Sequence, residues 1–341
     1  MFKNNRSTRG QANHQGRTLK ALNFASLIAV TILILATLPV KASPAADSSL
    51  TFNPSGDSQV TEATPGKNYG NATYLQVDGI SQAAVSSAVL VGAGDIASCN
   101  NNNDEATAKL LDNIPGTVFA AGDEAYSSGS ASDFKNCYNP TWGRHKARTK
   151  PVPGNHEYKT SGASGYFNYF NNVPSYYAYN LGSWRVYALN SEISISATSA
   201  EVKWLKADLA ANPKQCVLAY WHEPRWSSGS THGSNTKVQT LWSTLYNAGA
   251  ELVINGHEHN YERFSPMNAS GSAVASGMRE FVVGTGGASH YSFGTILSAS
   301  QVHNSSTYGV LKLTLKATGY DWQFIPIAGK TFKDSGSASC R

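Results

Sequence analysis

An α/β fold is expected for residues 88–341, and three observations lead to it. The 341-residue chain is 41% hydrophobic, enough apolar material for a substantial core. From Val89 onward, short apolar runs alternate with loops and stretches of helical spacing. Five of those runs end in polar residues of the kind that bind ligands, and α/β folds build their sites at the carboxyl ends of strands.

Taken in order, Ala88–Ala93 is a short apolar strand that runs into Gly94-Asp95. Asp104 to Leu111 has helical spacing, with Asp104 as its candidate cap. Thr117–Ala121 is a second strand, ending in Gly122-Asp123, and Lys150–Pro153 leads into Gly154-Asn155-His156. Ala200–Ala211 repeats Val202, Leu205 and Leu209 on one helical face. Cys216–Trp221 is a strand that delivers His222, and Glu251–Ile254 one that delivers Gly256-His257. Further strands are expected at Arg279–Gly284, Val310–Leu315 and Tyr320–Pro326.

The formal net charge of +5 is misleading once it is located. Residues 1–42 carry Lys3, Arg6, Arg9, Arg17, Lys20 and Lys41 and no acidic residue; without them 21 basic residues face 22 acidic ones. A near-neutral body lacks the basic footprint of a nucleic-acid or anionic-membrane binder, so neither partner is expected. The basic stretch to Lys20, the apolar run from Leu22 to Val40 and the small residues at Val40-Lys41-Ala42 read as a signal peptide, with a mature N-terminus near Ser43. The run nearly reaches the length of an uncleaved anchor, but the cleavage pattern and the polar stretch behind it favour removal, leaving no stable membrane association. No Arg-Arg pair marks a twin-arginine route. The expected location is therefore extracellular, at the cell surface or in the periplasm. Residues 43–87 form a Ser/Ala/Gly/Asn-rich segment with short alternating runs such as Thr73–Asp78. It resembles the opening of the secreted β-sandwich modules called DNRLRE domains, but a complete sandwich needs about 100 residues. A remnant, linker or extra hairpin is expected.

The polar residues at the strand ends are Asp95, Asp123 with Tyr126, Asn155 with His156, His222, and His257 with His259. Any one of them has an ordinary structural explanation as a turn or an exposed edge. Five in order at strand ends do not arise easily by chance. Oxygen and nitrogen donors without a thiolate suit iron, manganese or zinc. A carboxylate flanked by two ligand groups can bridge two ions, and two-metal sites serve hydrolytic displacement at phosphorus.

Gly94-Asp95, Gly122-Asp123-Glu124-Ala125-Tyr126, Gly154-Asn155-His156-Glu157, Trp221-His222 and Gly256-His257-Glu258-His259 resemble the five blocks of calcineurin-like metallophosphoesterases. The Tyr126 spacing and Asn260-Tyr261-Glu262-Arg263 are similar to the purple acid phosphatase branch. The resemblance spans about residues 89–330. It implies an αββα sandwich of two mixed β-sheets flanked by helices, with a dimetal site at one edge. It further implies that Asp95, Asp123, Tyr126 and His259 hold a first ion, trivalent iron. Asp123 would bridge to a second, iron, zinc or manganese, completed by Asn155, His222 and His257. By the same resemblance His156 contacts the substrate or leaving group, and His232, ten residues after His222, is a second substrate-facing histidine; together they are expected to position phosphate and protonate the leaving group. The implied activity is hydrolysis of small phosphomonoesters by metal-bound hydroxide. A phosphodiesterase or nucleotidase on the same site is the nearest rival, and a binding protein with a vestigial site the more distant one.

Three features depart from the family pattern. Asp95-Ile96-Ala97 lacks the histidine that ordinary members carry two residues after the aspartate, so Tyr126 must replace it. Glu223 places an acidic residue directly after His222, and the block around Leu189-Asn190-Ser191 is short. The four cysteines form no CxxC and suit disulfides. Cys99 and Cys137 follow the first two blocks and are expected to pair, with Cys216 and Cys340 pairing or free. Gly284-Thr285-Gly286-Gly287 lacks the lysine of a phosphate-binding loop and reads as a turn. Glu262 and Arg263 read as an ion pair, Arg144-His145 as a solvated basic stretch or a phosphate contact. Glu124, Glu157 and Glu258 read as supports for the ligands beside them.

Overall fold

The computed structural model describes residues 87–341 apart from Gln215. The leader at 1–42 and the segment at 43–87, except its last residue, therefore lie outside the described residues. In chain order the strands are β1 (Ala88–Ala93), β2 (Ala97–Ser98), β3 (Thr117–Ala121), β4 (Ala125–Tyr126), β5 (Thr149–Val152), β6 (Tyr177–Leu181), β7 (Trp184–Ala188), β8 (Val217–Tyr220), β9 (Leu252–Asn255), β10 (Tyr261–Phe264), β11 (Arg279–Val283), β12 (Ser300–Asn304), β13 (Gly309–Lys316), β14 (Gly319–Pro326) and β15 (Asp334–Ser339). The α-helices are α1 (Asn103–Asp112), α2 (Ala131–Asp133), α3 (Ser164–Tyr169), α4 (Ala200–Ala211) and α5 (Gln239–Asn247).

Two large sheets result. The six-stranded sheet runs β15-β14-β13-β1-β3-β5, with β1, β3 and β5 parallel and the rest antiparallel. The seven-stranded sheet runs β12-β10-β11-β9-β8-β7-β6, parallel from β11 to β7 and antiparallel outside. Both are mixed, as expected.

Strand periodicity sorts the seven-stranded sheet into two cores. Leu218, Tyr220, Leu252, Ile254 and Phe281 face inward and pack in one cluster with Leu90, Phe119, Leu311 and Leu313 of the other sheet. Their sequence neighbours Val217, Ala219, Val253 and Val282 face outward onto Val202 and Leu205 of α4 and Leu241, Trp242 and Leu245 of α5. On the six-stranded sheet α1 contributes Ala108 and Leu111. The layers are helix, sheet, sheet, helix.

Several local readings need correction. Asn102, not Asp104, occupies the cap position of α1; Asp104 lies inside the helix, and its Oδ2 accepts the Thr141 hydroxyl at 2.7 Å. Arg263 pairs with Asp334 at 2.7 Å, because Glu262 alternates to the opposite face and receives Ser228 instead. Arg144 is exposed, as a solvated stretch requires, and it pairs at the surface with Glu105 at 2.7 Å and Asp112 at 2.8 Å. Cys99 pairs with Cys137, and Cys216 with Cys340. Among the described residues no helix is long and apolar enough to cross a membrane.

Candidate metal centre

The parallel strands of both sheets end at one edge. β1, β3 and β5 deliver Asp95, Asp123 and Asn155-His156 from one sheet; β8 and β9 deliver His222 and His257–His259 from the other. The turns that do so are tight. Asp95, Asp123 and His257 adopt left-handed backbone, at φ 58°, 53° and 70°. Non-glycine residues seldom sit there, and such strain persists where surrounding structure imposes it. A Cβ at Gly122, itself at φ 83°, would collide with the His222 ring, and one at Gly154 with Asp123. The glycines of these blocks therefore let the ligand residues approach one another.

Asp95, Asp123 and His222 are buried, and one donor atom from each lies within 4.8 Å of the others. Asp123 Oδ2 is central: the Tyr126 hydroxyl is 3.1 Å away and His222 Nε2 3.4 Å. On one side of it the Tyr126 hydroxyl also meets Asp95 Oδ1 at 2.9 Å and His259 Nε2 at 3.0 Å. On the other, His222 Nε2 meets Asn155 Oδ1 at 3.1 Å and His257 Nδ1 at 3.2 Å. The seven ligand-type residues thus separate into two groups that share Asp123.

The histidine tautomers are set from behind. His222 Nδ1 donates to the Ala121 carbonyl at 2.9 Å, and His259 Nδ1 to that of Ser289 at 2.6 Å. A neutral ring would aim the bare lone pair of Nε2 at acceptor oxygens, an arrangement that asks for a cation, proton or metal, between them. The charges agree. Burial alone would lower His222, but the charge of Asp123 and its hydrogen bond raise it well above the ordinary value. Burial would likewise raise Asp123, yet His222 holds it below the usual carboxylate range. A proton on His222 supplies the positive charge that a metal ion would otherwise bring. Burial, then His222 and His232, lower His257 to about 3, keeping it neutral. Burial, then Asp123 and Asp95, raise the Tyr126 phenol well above 10, so only a cation in that group would release its proton. The donor set fits two hard or borderline ions, one in each group.

The model of the calcineurin-like phosphoesterase family matches residues 89–261. The chain belongs to that family. The chain is 28% identical over 211 residues to purple acid phosphatase 15 of Arabidopsis thaliana, covering 50% of this chain and 40% of the relative. Purple acid phosphatase 21 of the same plant is 30% identical over 117 residues, 33% of this chain and 26% of that one. The chain thus spans less than half the length of these relatives. Among solved structures, a purple acid phosphatase from yellow lupin seeds superposes with a TM-score of 0.62 at 19% identity, over 74% of this chain and 54% of that one. GAP50, an anchor in the inner membrane complex of Plasmodium, superposes with a TM-score of 0.59 at 16% identity, over 75% of this chain and 90% of that one. These two likenesses concern the fold.

The two histidines expected at the substrate flank the candidate metal centre. His156 Nδ1 donates to Ser127 O at 2.7 Å, leaving Nε2 3.9 Å from Asp123 Oδ2. The exposed His232 lies with its ring 4.0 Å from that of His257. Its loop is held by three buried glutamates, each working through backbone amides. Glu280 accepts from Arg225 and Trp226, Glu262 from Ser228, and Glu258 from His232 and Gly233. Glu157 does the same for the first blocks, accepting from Asp123, Ala125 and Gly154 at 2.9, 3.2 and 2.8 Å. Burial, then the charge of Asp123, raises Glu157 to about 8, against the pull of those amides.

Three residues near the centre escaped sequence reasoning. Tyr291 stacks on His259 with ring centroids 3.9 Å apart. Glu192 sits near His222, and Lys159 against His156. None lies in a block, and only the acidic residue directly after His222 gave any hint of charge around the site.

Proposed function

We propose that this chain is a secreted dinuclear metallohydrolase that cleaves phosphomonoesters of small molecules. The observation that carries the reading is Asp123 Oδ2, set between the Tyr126 hydroxyl and His222 Nε2 with a separate ligand group on either side. Asp95, Tyr126 and His259 would hold one ion, Asn155, His222 and His257 the other, and Asp123 both. A phenolate is a hard, strong donor, which favours trivalent iron in the Tyr126 group; iron, zinc or manganese suits the second. When bound, two such ions supply a nucleophile at neutral pH and offset the charge that develops on the phosphate oxygens.

The remaining work falls to the chain. The amide of His156 donates to Asp123 Oδ1 at 2.8 Å and fixes that carboxylate. Anchored to Ser127 O, His156 presents Nε2 toward the centre, where it would orient the substrate by accepting a hydrogen bond from a protonated phosphate oxygen. His232, on the opposite flank, would protonate the departing oxygen.

Residues 1–42 are assigned to an export leader, 43–87 to a linker or module remnant and 88–341 to the catalytic domain. Two disulfides among the described residues suit an oxidising compartment. The test is the ratio of kcat/KM on p-nitrophenyl phosphate and bis-p-nitrophenyl phosphate. Preference for the monoester supports the reading, and preference for the diester replaces it with a phosphodiesterase. No turnover of either with both ions bound would leave a binding protein.

A further inference from the structure

His232 is exposed, and its backbone is fixed where its side chain is not. Glu258 Oε1 holds its amide, but among the described residues no hydrogen bond ends on its imidazole. An exposed histidine without such a bond is shared among several rotamers unless packing selects one. Two other rings meet this one. His257 lies 4.0 Å away, centroid to centroid, with the planes 30° apart, and Tyr291 lies 5.7 Å away at 60°. Contacts at two different angles leave the imidazole plane one place to sit.

Tyr291 is itself anchored on the metal side. Its ring stacks on that of His259 at 3.9 Å and 10°, and its amide donates to the His259 carbonyl at 3.1 Å. His259 Nδ1 donates in turn to Ser289 O at 2.6 Å, two residues before the tyrosine. The stretch after Tyr291 joins the loop of His232. Ser230 donates to Ser292 O from its amide at 3.0 Å and from its hydroxyl at 2.9 Å, and Gly294 donates to Ser228 O at 2.8 Å. The segment 289–294 is therefore fastened at one end to a residue of the first-ion group and at the other to the His232 loop. Through His257 the imidazole is referred to the second-ion group, and through Tyr291 to the first.

We infer that Tyr291 is a positioning residue whose ring holds the His232 imidazole in the orientation from which it protonates the leaving oxygen. The part that acts is the ring, not the hydroxyl. The inference rests on the phosphatase reading for the task of His232, whereas the orientation is a property of the rings alone.

The test compares wild type, Tyr291→Ala and Tyr291→Phe. In crystal structures of the metal-free proteins, His232 should occupy one rotamer in wild type and Tyr291→Phe and more than one in Tyr291→Ala. The same single rotamer in Tyr291→Ala would overturn the inference, with or without turnover. With metal loaded, Tyr291→Ala should lose about tenfold more kcat/KM on an alkyl phosphate than on p-nitrophenyl phosphate, and Tyr291→Phe should recover most of the difference. Equal losses on both substrates would mean that Tyr291 only supports His259 and its ion, and would overturn the inference. Losses in Tyr291→Phe as large as in Tyr291→Ala would put the hydroxyl on the substrate and overturn it too. No turnover in wild type would defeat the phosphatase reading and leave the rotamers to decide.

Discussion

Glu258 Oε1 accepts the backbone N–H of His232 at 2.5 Å. The residue between the two histidines of the last block thereby fixes a loop that starts at the end of another strand. Glu258 is fully buried, and Gly233 donates to the same oxygen at 2.5 Å.

Removing that anchor should act through His232. Glu258→Ala should cost alkyl phosphates about tenfold more in kcat/KM than p-nitrophenyl phosphate, whose leaving group needs little protonation. His232→Ala should show the same split. Metal content measured alongside keeps the two effects apart. Equal losses on both substrates at full metal content would show that the loop only shapes the site.

In the proposed centre Tyr126 would decide the character of the first ion. With trivalent iron bound, a phenolate gives a visible charge-transfer band, so the concentrated protein should be pink to purple. Tyr126→Phe should abolish the band and lower the iron content while leaving the far-ultraviolet circular dichroism unchanged. A colourless, fully active enzyme that is indifferent to Tyr126→Phe would remove the iron assignment.

Glu201 gives a stability prediction away from the site. It is buried in α4, accepts the Asn190 amide at 2.8 Å, and burial raises its carboxyl to about 8. The folded state then holds a proton that the unfolded state has released above about 4.5. Stability from this group is thus full at low pH and lost as pH rises toward 8. Glu201→Gln, which mimics the protonated acid, should stabilise the fold more at pH 8.5 than at pH 5, by on the order of a few kcal/mol in unfolding free energy, read as a larger rise in Tm at the higher pH. Parallel Tm–pH curves for the two proteins would refute it.

The disulfides make a graded prediction. Cys216–Cys340 closes 124 residues and Cys99–Cys137 closes 38. In the chain-entropy account these contribute about 5 and about 4 kcal/mol respectively. Denaturant unfolding of the paired serine variants should place the longer bridge first. A larger loss at Cys99–Cys137 would point to its link between β2 and the turn after α2 as the dominant effect.

Much of this was legible in the sequence because its signals are local. Glycine before aspartate or asparagine at the end of an apolar run marks β1, β3 and β5, and helical spacing placed α4 at its observed bounds. Polar edge strands gave no such signal: β12 and β15, Ser300–Asn304 and Asp334–Ser339, are half exposed and lack apolar alternation. The β6–β7 hairpin was passed over although Gly182-Ser183, a two-residue turn of the favoured kind, joins Leu181 to Trp184. At the site, the ligand types were readable but the supports were not. The amides gathered by Glu157, Glu258, Glu262 and Glu280 come from residues up to 55 positions away, and the contact of Lys159 with His156 depends on a 3₁₀ turn. Glu262 and Arg263 show the limit of reading neighbours as partners, since a strand sends them to opposite faces.

The most direct test of the dinuclear account is metal reconstitution followed by turnover of p-nitrophenyl phosphate. Protein stripped with a chelator should be folded and inactive. Activity should return in step with the second ion bound per chain, and Asp123→Asn should not recover it. Turnover that survives complete stripping, or full activity with a single ion bound, would contradict the account.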